Sequence, residues 1–342
     1  MPATTPSSRP SVNRKFVLAS RPTEMPDEST FRMVTSPVPE LKDGELLVRA
    51  MYLSVDPYMR GRISQARSYA APVEIGSVMV GGGAGRVIES KNPEFAAGEL
   101  VDIYMGWQEF AVSNGKGLRK LDPSVPVPVS LGLLGVTGLS AYFGLLDVCD
   151  PKPGETVMVS GAAGAVGSVA GQIAKIKGCR TVGIAGSAEK VEWIKRECGF
   201  DEAFDYKTTA DYSARLQELC PKGIDVYFDN VGGPITDAVL PLINTGARIS
   251  ICGQISQYNN SKPELGPRLL HMLIVARAKM QGFLVTDYAA RFGAAGTELA
   301  SWYREGRLKS REDIVEGFEN LPKAFLGLFQ GENTGKRLVK LG

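Results

Sequence analysis

Residues 159–171 read VSGAAGAVGSVAG, and they constrain this chain more than any other stretch. The apolar run TVMVS leading into them has the length and composition of a buried strand, and AVGSVAGQIAKIKG after them carries the apolar spacing of a helix. A glycine-bearing turn between a strand and a helix presents free backbone N–H groups and the positive end of the helix dipole, which together hold a pyrophosphate. Against the dinucleotide fingerprint G-x-G-x-x-G, Ala162 replaces the first glycine. Gly164 and Gly167 keep the positions for close approach to the phosphates and for helix packing. The helix is expected to begin near Ala165.

The rest of the text fits a nucleotide-binding unit joined to a second one. At 342 residues the chain exceeds the roughly 100–200 of one domain. Residues 1–12, rich in Pro, Ser and Thr, read as a flexible tail. Residues 13–130 hold short strands between turns, such as GELLVRAMYLSV and GAGRVIES, and form a β-rich domain. Residues 131–303 alternate strand-like and helical runs, the grammar of an α/β doubly wound parallel sheet. Residues 304–342 turn irregular and end in a strand, GKRLVKL, that should rejoin the first domain.

The nucleotide fingerprint for NAD needs an acidic residue at the end of the second strand to bind the ribose hydroxyls. Here that strand ends GIAGSAEK, with no carboxylate before Glu189 and with Lys190 at the helix start. A carboxylate would repel a 2′-phosphate and a lysine neutralises one, so the pattern favours NADP.

A net charge of +2 with 22% charged residues gives no basic excess for a nucleic-acid partner, and no apolar run is long enough for a membrane span. Five cysteines without paired spacing read as reduced thiols, which favours the cytosol. The single histidine, His271, lies in the apolar stretch PRLLHMLIVARAK and is expected to be a buried or partly buried structural residue. One histidine and no C-x-x-C pair argue against a zinc centre, a histidine base and a Ser/His/Asp triad. The metal assignment is therefore none.

Five motifs then make a resemblance specific: YLSVDPYMRGR, GAAGAVGSVAGQIAKIKGC, YFDNVGG, ICGQISQYN and ENTGKRLVK. In this order they resemble the zinc-independent medium-chain dehydrogenase/reductases, double-bond reductase branch. That group includes prostaglandin reductase, plant alkenal reductase and bacterial curcumin reductase, and the likeness runs from about residue 13 to the end. It implies a GroES-like substrate domain, a Rossmann cofactor domain, a homodimer, and NADPH-dependent reduction of a carbon–carbon double bond conjugated to a carbonyl. Reduction of quinones, oxidation of secondary alcohols and a non-catalytic nucleotide-binding role are the competing readings.

Carried over at matching positions, the resemblance puts Ala165, Val166, Gly167 and Ser168 at the pyrophosphate, with Lys190 and Tyr206 near the 2′-phosphate. Asn230 and the run Cys252, Gly253, Gln254, Ile255, Ser256, Gln257 and Tyr258 fall at carboxyl ends of strands, where open α/β sheets bind ligands. Phe283, Leu284 and Val285 resemble the segment that meets the nicotinamide, and Asn333 resembles a C-terminal asparagine that reaches the cofactor. With no metal, a tyrosine or ribose hydroxyl must meet the charge that develops on the carbonyl oxygen. Tyr258 is the first catalytic residue expected and Tyr52 the second, with Tyr58 as a substitute.

Overall fold

The structure is a computed structural model and describes residues 9–342. Of the tail expected over residues 1–12, residues 1–8 lie outside the described residues. From Arg9 onward the chain is tied down: the Arg9 guanidinium bonds Glu40 and Glu89 at 2.6 and 2.9 Å, and the first strand begins at Val12.

Fifteen strands follow, β1 (Val12–Leu18), β2 (Phe31–Pro37), β3 (Leu46–Ser54), β4 (Gly82–Ser90), β5 (Leu100–Tyr104), β6 (Phe110–Ser113), β7 (Arg119–Lys120), β8 (Thr156–Val159), β9 (Arg180–Ala185), β10 (Glu202–Asp205), β11 (Ile224–Asp229), β12 (Ile243–Ile251), β13 (Lys279–Gly282), β14 (Glu312–Glu316) and β15 (Lys336–Lys340). The β-rich domain is built on the order β14-β15-β3-β4-β5-β7, with β6 also on β3 and a separate antiparallel pair β1-β2. The C-terminal strand does rejoin it: β15 runs antiparallel to β3, with Leu338 opposite Ser54. The core centres on the fully buried Trp107, whose ring lies 5.1 Å from Phe31 and 5.8 Å from Phe325. Phe325 comes from the helix Leu321–Phe329, so the last segment completes the first domain's core.

The second sheet is wholly parallel, in the order β10-β9-β8-β11-β12-β13. All four β8 residues are buried, as a strand covered on both faces by helices must be. Strand order runs outward one way from β8 and the other way from β11, which opens a crevice between their carboxyl ends. The helix Gly167–Ile176 leaves β8 at that point, and Gly233–Val239 leaves β11. The two sheets are joined there as well. The Gly335 N–H donates to the Ala163 carbonyl at 2.7 Å, and Gly164 forms a parallel bridge with Gly335.

One expectation is overturned. His271 is exposed, not buried, and starts the short helix His271–Ala276, whose Ile274 and Val275 are 80% and 61% exposed. The helix packs on β12 beside the edge strand β13, with only Ala276 buried, so its apolar composition faces solvent in the single chain.

Candidate active site

The glycine turn has the tightness its sequence suggests. Gly161 takes φ +58°, a left-handed conformation natural to glycine, and a Cβ on Gly167 would stand 2.3 Å from the Gly161 carbonyl oxygen. The helix starts at Gly167, two residues past the expected Ala165; Ala165 and Val166 form the turn before it and Ser168 lies buried in its first coil. Ala162 stands in for the fingerprint's first glycine because its methyl points into the core, fully buried. These backbone N–H groups and this geometry suit a pyrophosphate.

The crevice is held open by one carboxylate. Asp229, fully buried at the end of β11, accepts four bonds at Oδ1: from Ser160 Oγ at 2.8 Å, Tyr227 Oη at 2.9 Å, Val231 N at 2.9 Å and Gly232 N at 3.0 Å. Its Oδ2 accepts from Thr236 Oγ1 and Gln254 Nε2, both at 2.8 Å. Six donors saturate a buried charge, the condition under which such a charge is tolerated. They also lock three loops together: the end of β8, the turn after β11 and the loop after β12. Asn230 adds a bond from Nδ2 to the Ser160 carbonyl at 2.8 Å. The loop after β12 zips to the same turn, with Cys252 and Gly253 N–H groups on the Asp229 carbonyl and Ser256 Oγ on the Val231 carbonyl at 2.6 Å. Ile255 N bonds the Asn230 carbonyl, while Gln257 closes a short turn onto Gln254.

At the far end of the cradle the charge is positive. Lys190 Nζ donates to the Gly331 carbonyl at 2.6 Å, and Lys207 Nζ to the Gln330 carbonyl at 3.4 Å. Among the described residues no carboxylate forms an ion pair with either. Burial first, then the charges of Lys207 and Arg337, push the Lys190 ammonium below its ordinary value. Tyr206 lies against Gly186, where a Cβ would come within 2.8 Å of the ring. Cations gathered around a gap, with no carboxylate bonded to Lys190 or Lys207, fit a 2′-phosphate.

The remaining expected residues line the same edge. Phe283, Leu284 and Val285 follow β13 directly, all half-buried, and Phe283 wedges against Gly144 and Phe228. Asn333 donates from Nδ2 to the Gly335 carbonyl at 3.0 Å, beside the bond from Gly335 to Ala163. Tyr258 caps the turn after Gln257, and its hydroxyl oxygen accepts the Gln254 N–H at 3.1 Å. The phenolic proton therefore remains available for another acceptor. Burial raises the Tyr258 pKa, opposed by that backbone bond, with the Cys252 thiol and Asp229 adding to the rise.

One tyrosine of the β-rich domain, Tyr69, lies within electrostatic reach of Tyr258, and Tyr58 and Tyr104 lie near Tyr69. Burial, then the charges of Tyr258, Tyr104 and Cys252, raise the Tyr69 pKa against the pull of Arg62, and Tyr104 is a neighbour of Tyr58. Burial, then the nearby Asp56 carboxylate, pushes the Tyr58 phenol far up. Arg62 donates to the Ala71 carbonyl at 2.7 Å and toward Tyr104 Oη at 3.4 Å, bracing the rim. Tyr52 does not join this group. It packs with Ala84, Leu121, Leu131 and Leu338 in a separate apolar cluster. A bulge in β3 between Ala50 and Tyr52 is the cause: Leu46, Val48 and Ala50 face the domain core before it, Leu53 and Val55 after it, so Tyr52 points to the other face.

Comparison with known proteins agrees with this geometry. Residues 14–121 match a family described as the N-terminal domain of oxidoreductase, and residues 165–301 match one described as zinc-binding dehydrogenase. The NADPH-dependent curcumin reductase of Escherichia coli is 45% identical over 96% of this chain and 97% of its own length. The NADP-dependent 2-alkenal reductase of Nicotiana tabacum is 42% identical, again over 96% and 97%. CurA from Vibrio vulnificus, solved in complex with NADPH, superimposes with a TM-score of 0.92 at 47% identity, covering 96% of this chain and 99% of that one. The chain belongs to the zinc-independent medium-chain dehydrogenase/reductases, in the double-bond reductase branch. This reductase is an NADP-dependent oxidoreductase.

The second family's description mentions zinc, yet among the described residues of the reductase no three His, Cys, Asp or Glu side chains are grouped to hold a metal ion. Sequence reasoning does not reach Asp229, Tyr69 or Tyr104. The only local signal for Asp229 is a carboxylate at the end of an otherwise apolar strand, IDVYFD.

Asp229→Asn offers an amide N–H₂ to groups that are themselves donors. It is expected to lower the unfolding free energy by about 3 kcal/mol and to weaken NADPH binding, read by urea denaturation and cofactor fluorescence. Unchanged stability would show that the six bonds to Asp229 do not hold the crevice.

Proposed function

We propose that this protein reduces the carbon–carbon double bond of α,β-unsaturated ketones and aldehydes with NADPH. The observation that carries the reading is the Tyr258 hydroxyl, fixed at the carboxyl edge of the sheet with its oxygen on a backbone N–H and its proton free to donate. NADPH, when bound, supplies the hydride that reaches the β-carbon. As negative charge develops on the carbonyl oxygen, Tyr258 donates to it and stabilises the enolate. Tyr58, with Tyr104 and Tyr69 beside it, orients the carbonyl from the opposite wall of the cleft. Burial holds the Tyr258 and Tyr58 phenols protonated as donors above the ordinary tyrosine range. The α-carbon takes its proton from water or from the phenol.

Residues Ala165, Val166, Gly167 and Ser168 hold the pyrophosphate, Lys190 and Tyr206 the 2′-phosphate. Asn230, residues 252–258, Phe283, Leu284, Val285 and Asn333 complete the cradle. The curcumin and alkenal reductases support the substrate class, and the cations at Lys190 and Lys207, with no carboxylate bonded to them, support the cofactor preference. We also infer a homodimer, formed along the unpaired edge of β13, beside which the helix His271–Ala276 leaves Ile274 and Val275 exposed. A single-chain mass in sedimentation equilibrium would exclude it. Five free cysteines support residence in the cytosol, and the described residues include no helix able to cross a membrane.

Purified protein incubated with NADPH and a panel of enones, quinones and ketones should consume cofactor fastest with enones; faster turnover of quinones would replace the proposed substrate class. Lys190→Glu should abolish the preference for NADPH over NADH, raising the KM for NADPH about 100-fold through like-charge repulsion while that for NADH changes little. Equal use of both cofactors by the wild type would remove the 2′-phosphate site from Lys190. Tyr258→Phe should lower kcat for enone reduction about 10- to 100-fold with NADPH affinity nearly intact. An unchanged kcat, with a deuterium isotope effect proving hydride transfer rate-limiting, would remove Tyr258 from the reaction.

A further inference from the structure

Lys336 is the only lysine in the buried class among the described residues, with a side chain 4% exposed. Its ammonium donates to Ser54 Oγ at 2.6 Å and to Asp56 Oδ1, while Ser54 Oγ donates to Asp56 Oδ2. The three side chains close a ring. Ser54 ends β3, Asp56 sits in the turn that follows, and Tyr58 comes two residues later; the Asp56 carbonyl accepts the Met59 N–H at 3.1 Å to shape that turn. On its other side Lys336 follows Gly335, whose N–H reaches the Ala163 carbonyl of the nucleotide-binding turn at 2.7 Å. Its aliphatic stem runs against Gly132, where a Cβ would meet it at 3.3 Å.

An ammonium taken out of water loses much of its hydration, and apolar residues of equal volume often serve a fold as well. Leu338 and Val339, further along the strand, show that the neighbourhood accepts apolar side chains. A charge pair of a buried lysine and a half-buried aspartate, kept where the glycine turn, β15 and the Tyr58 turn meet, has a geometric consequence. One ammonium ties the turn that carries Tyr58 to the strand that is bonded to the nucleotide-binding turn.

We propose that Lys336 is a positioning residue: through Asp56 and Ser54 it sets the aim of the Tyr58 phenol relative to the cofactor cradle. The inference rests on the reading of Tyr58 as a group that contacts substrate. The Lys336–Asp56 ring touches neither substrate nor cofactor and acts only by way of Tyr58. Other charged or titratable groups near it are Glu312, opposite Lys336 in the β14-β15 register, and Tyr58 itself.

The test is a double-mutant cycle on kcat for enone reduction at saturating NADPH, with Lys336→Met, Tyr58→Phe and the two combined. Lys336→Met alone should lower kcat about 10- to 100-fold with the KM for NADPH changed less than about threefold, whereas in the Tyr58→Phe background it should cost less than about threefold. A merely structural role would give the same loss in both backgrounds, and that additivity would overturn the proposal, as would a wild-type kcat in Lys336→Met. Asp56→Asn opens the same ring with an isosteric side chain, and the same cycle built on it tests the proposal should Lys336→Met not fold. Tyr58→Phe with wild-type kinetics would instead overturn the reading of Tyr58 itself, and the role of Lys336 with it.

Discussion

The Asp229 carboxylate is the constraint on which the rest of the site depends. A charge with no access to water must find its solvation inside the protein, and Asp229 finds it in six donors drawn from β11 itself, the end of β8, the turn and helix Gly233–Val239 that follow β11, and the loop after β12. Those are the segments that a parallel sheet brings to the crevice where its strand order reverses. The loop after β12 arrives carrying Tyr258, so satisfaction of one buried charge also fixes the position of the phenol. Stability and chemistry share the same bonds here.

The cleft has a division of labour by charge. Cations with no carboxylate bonded to them lie at Lys190 and Lys207, far along the cradle, while the end proposed to meet the carbonyl carries the Tyr258 phenol and the Cys252 thiol, whose pKa is pushed up to about 12 by burial. Neutral, desolvated donors suit a reaction in which charge appears transiently on a carbonyl oxygen, because they cost nothing to keep before it forms and strengthen as it does. A turn just past β3, which carries Tyr58, is pinned to the last strand by Lys336.

Much of this was legible in local sequence because it is locally caused. Periodicity separates the two sheets, the glycines mark the turn after β8, and the missing acid at the end of β9 points to the phosphate. What was not legible is whatever depends on pairing across the chain. Tyr52 and Tyr58 both lie in YLSVDPYM, but a bulge between Ala50 and Tyr52 reverses which face of β3 is inward and turns Tyr52 into a separate apolar cluster. Tyr69 comes near Tyr258 only when two domains fold onto one another, and nothing in its own neighbourhood marks it. His271 misled for a related reason: an apolar run implies burial, but its helix lies at a sheet edge, where apolar residues face outward until something covers them.

The most direct measurement follows the hydrogen atoms. With an enone and NADPH deuterated at the transferred C4 position, product analysed by NMR should carry one deuterium on the β-carbon and none on the carbonyl carbon. The same reaction with unlabelled NADPH in D₂O should place deuterium on the α-carbon. Deuterium on the carbonyl carbon, marking an alcohol as the product, would contradict reduction of the conjugated double bond and the enolate that Tyr258 is held to meet.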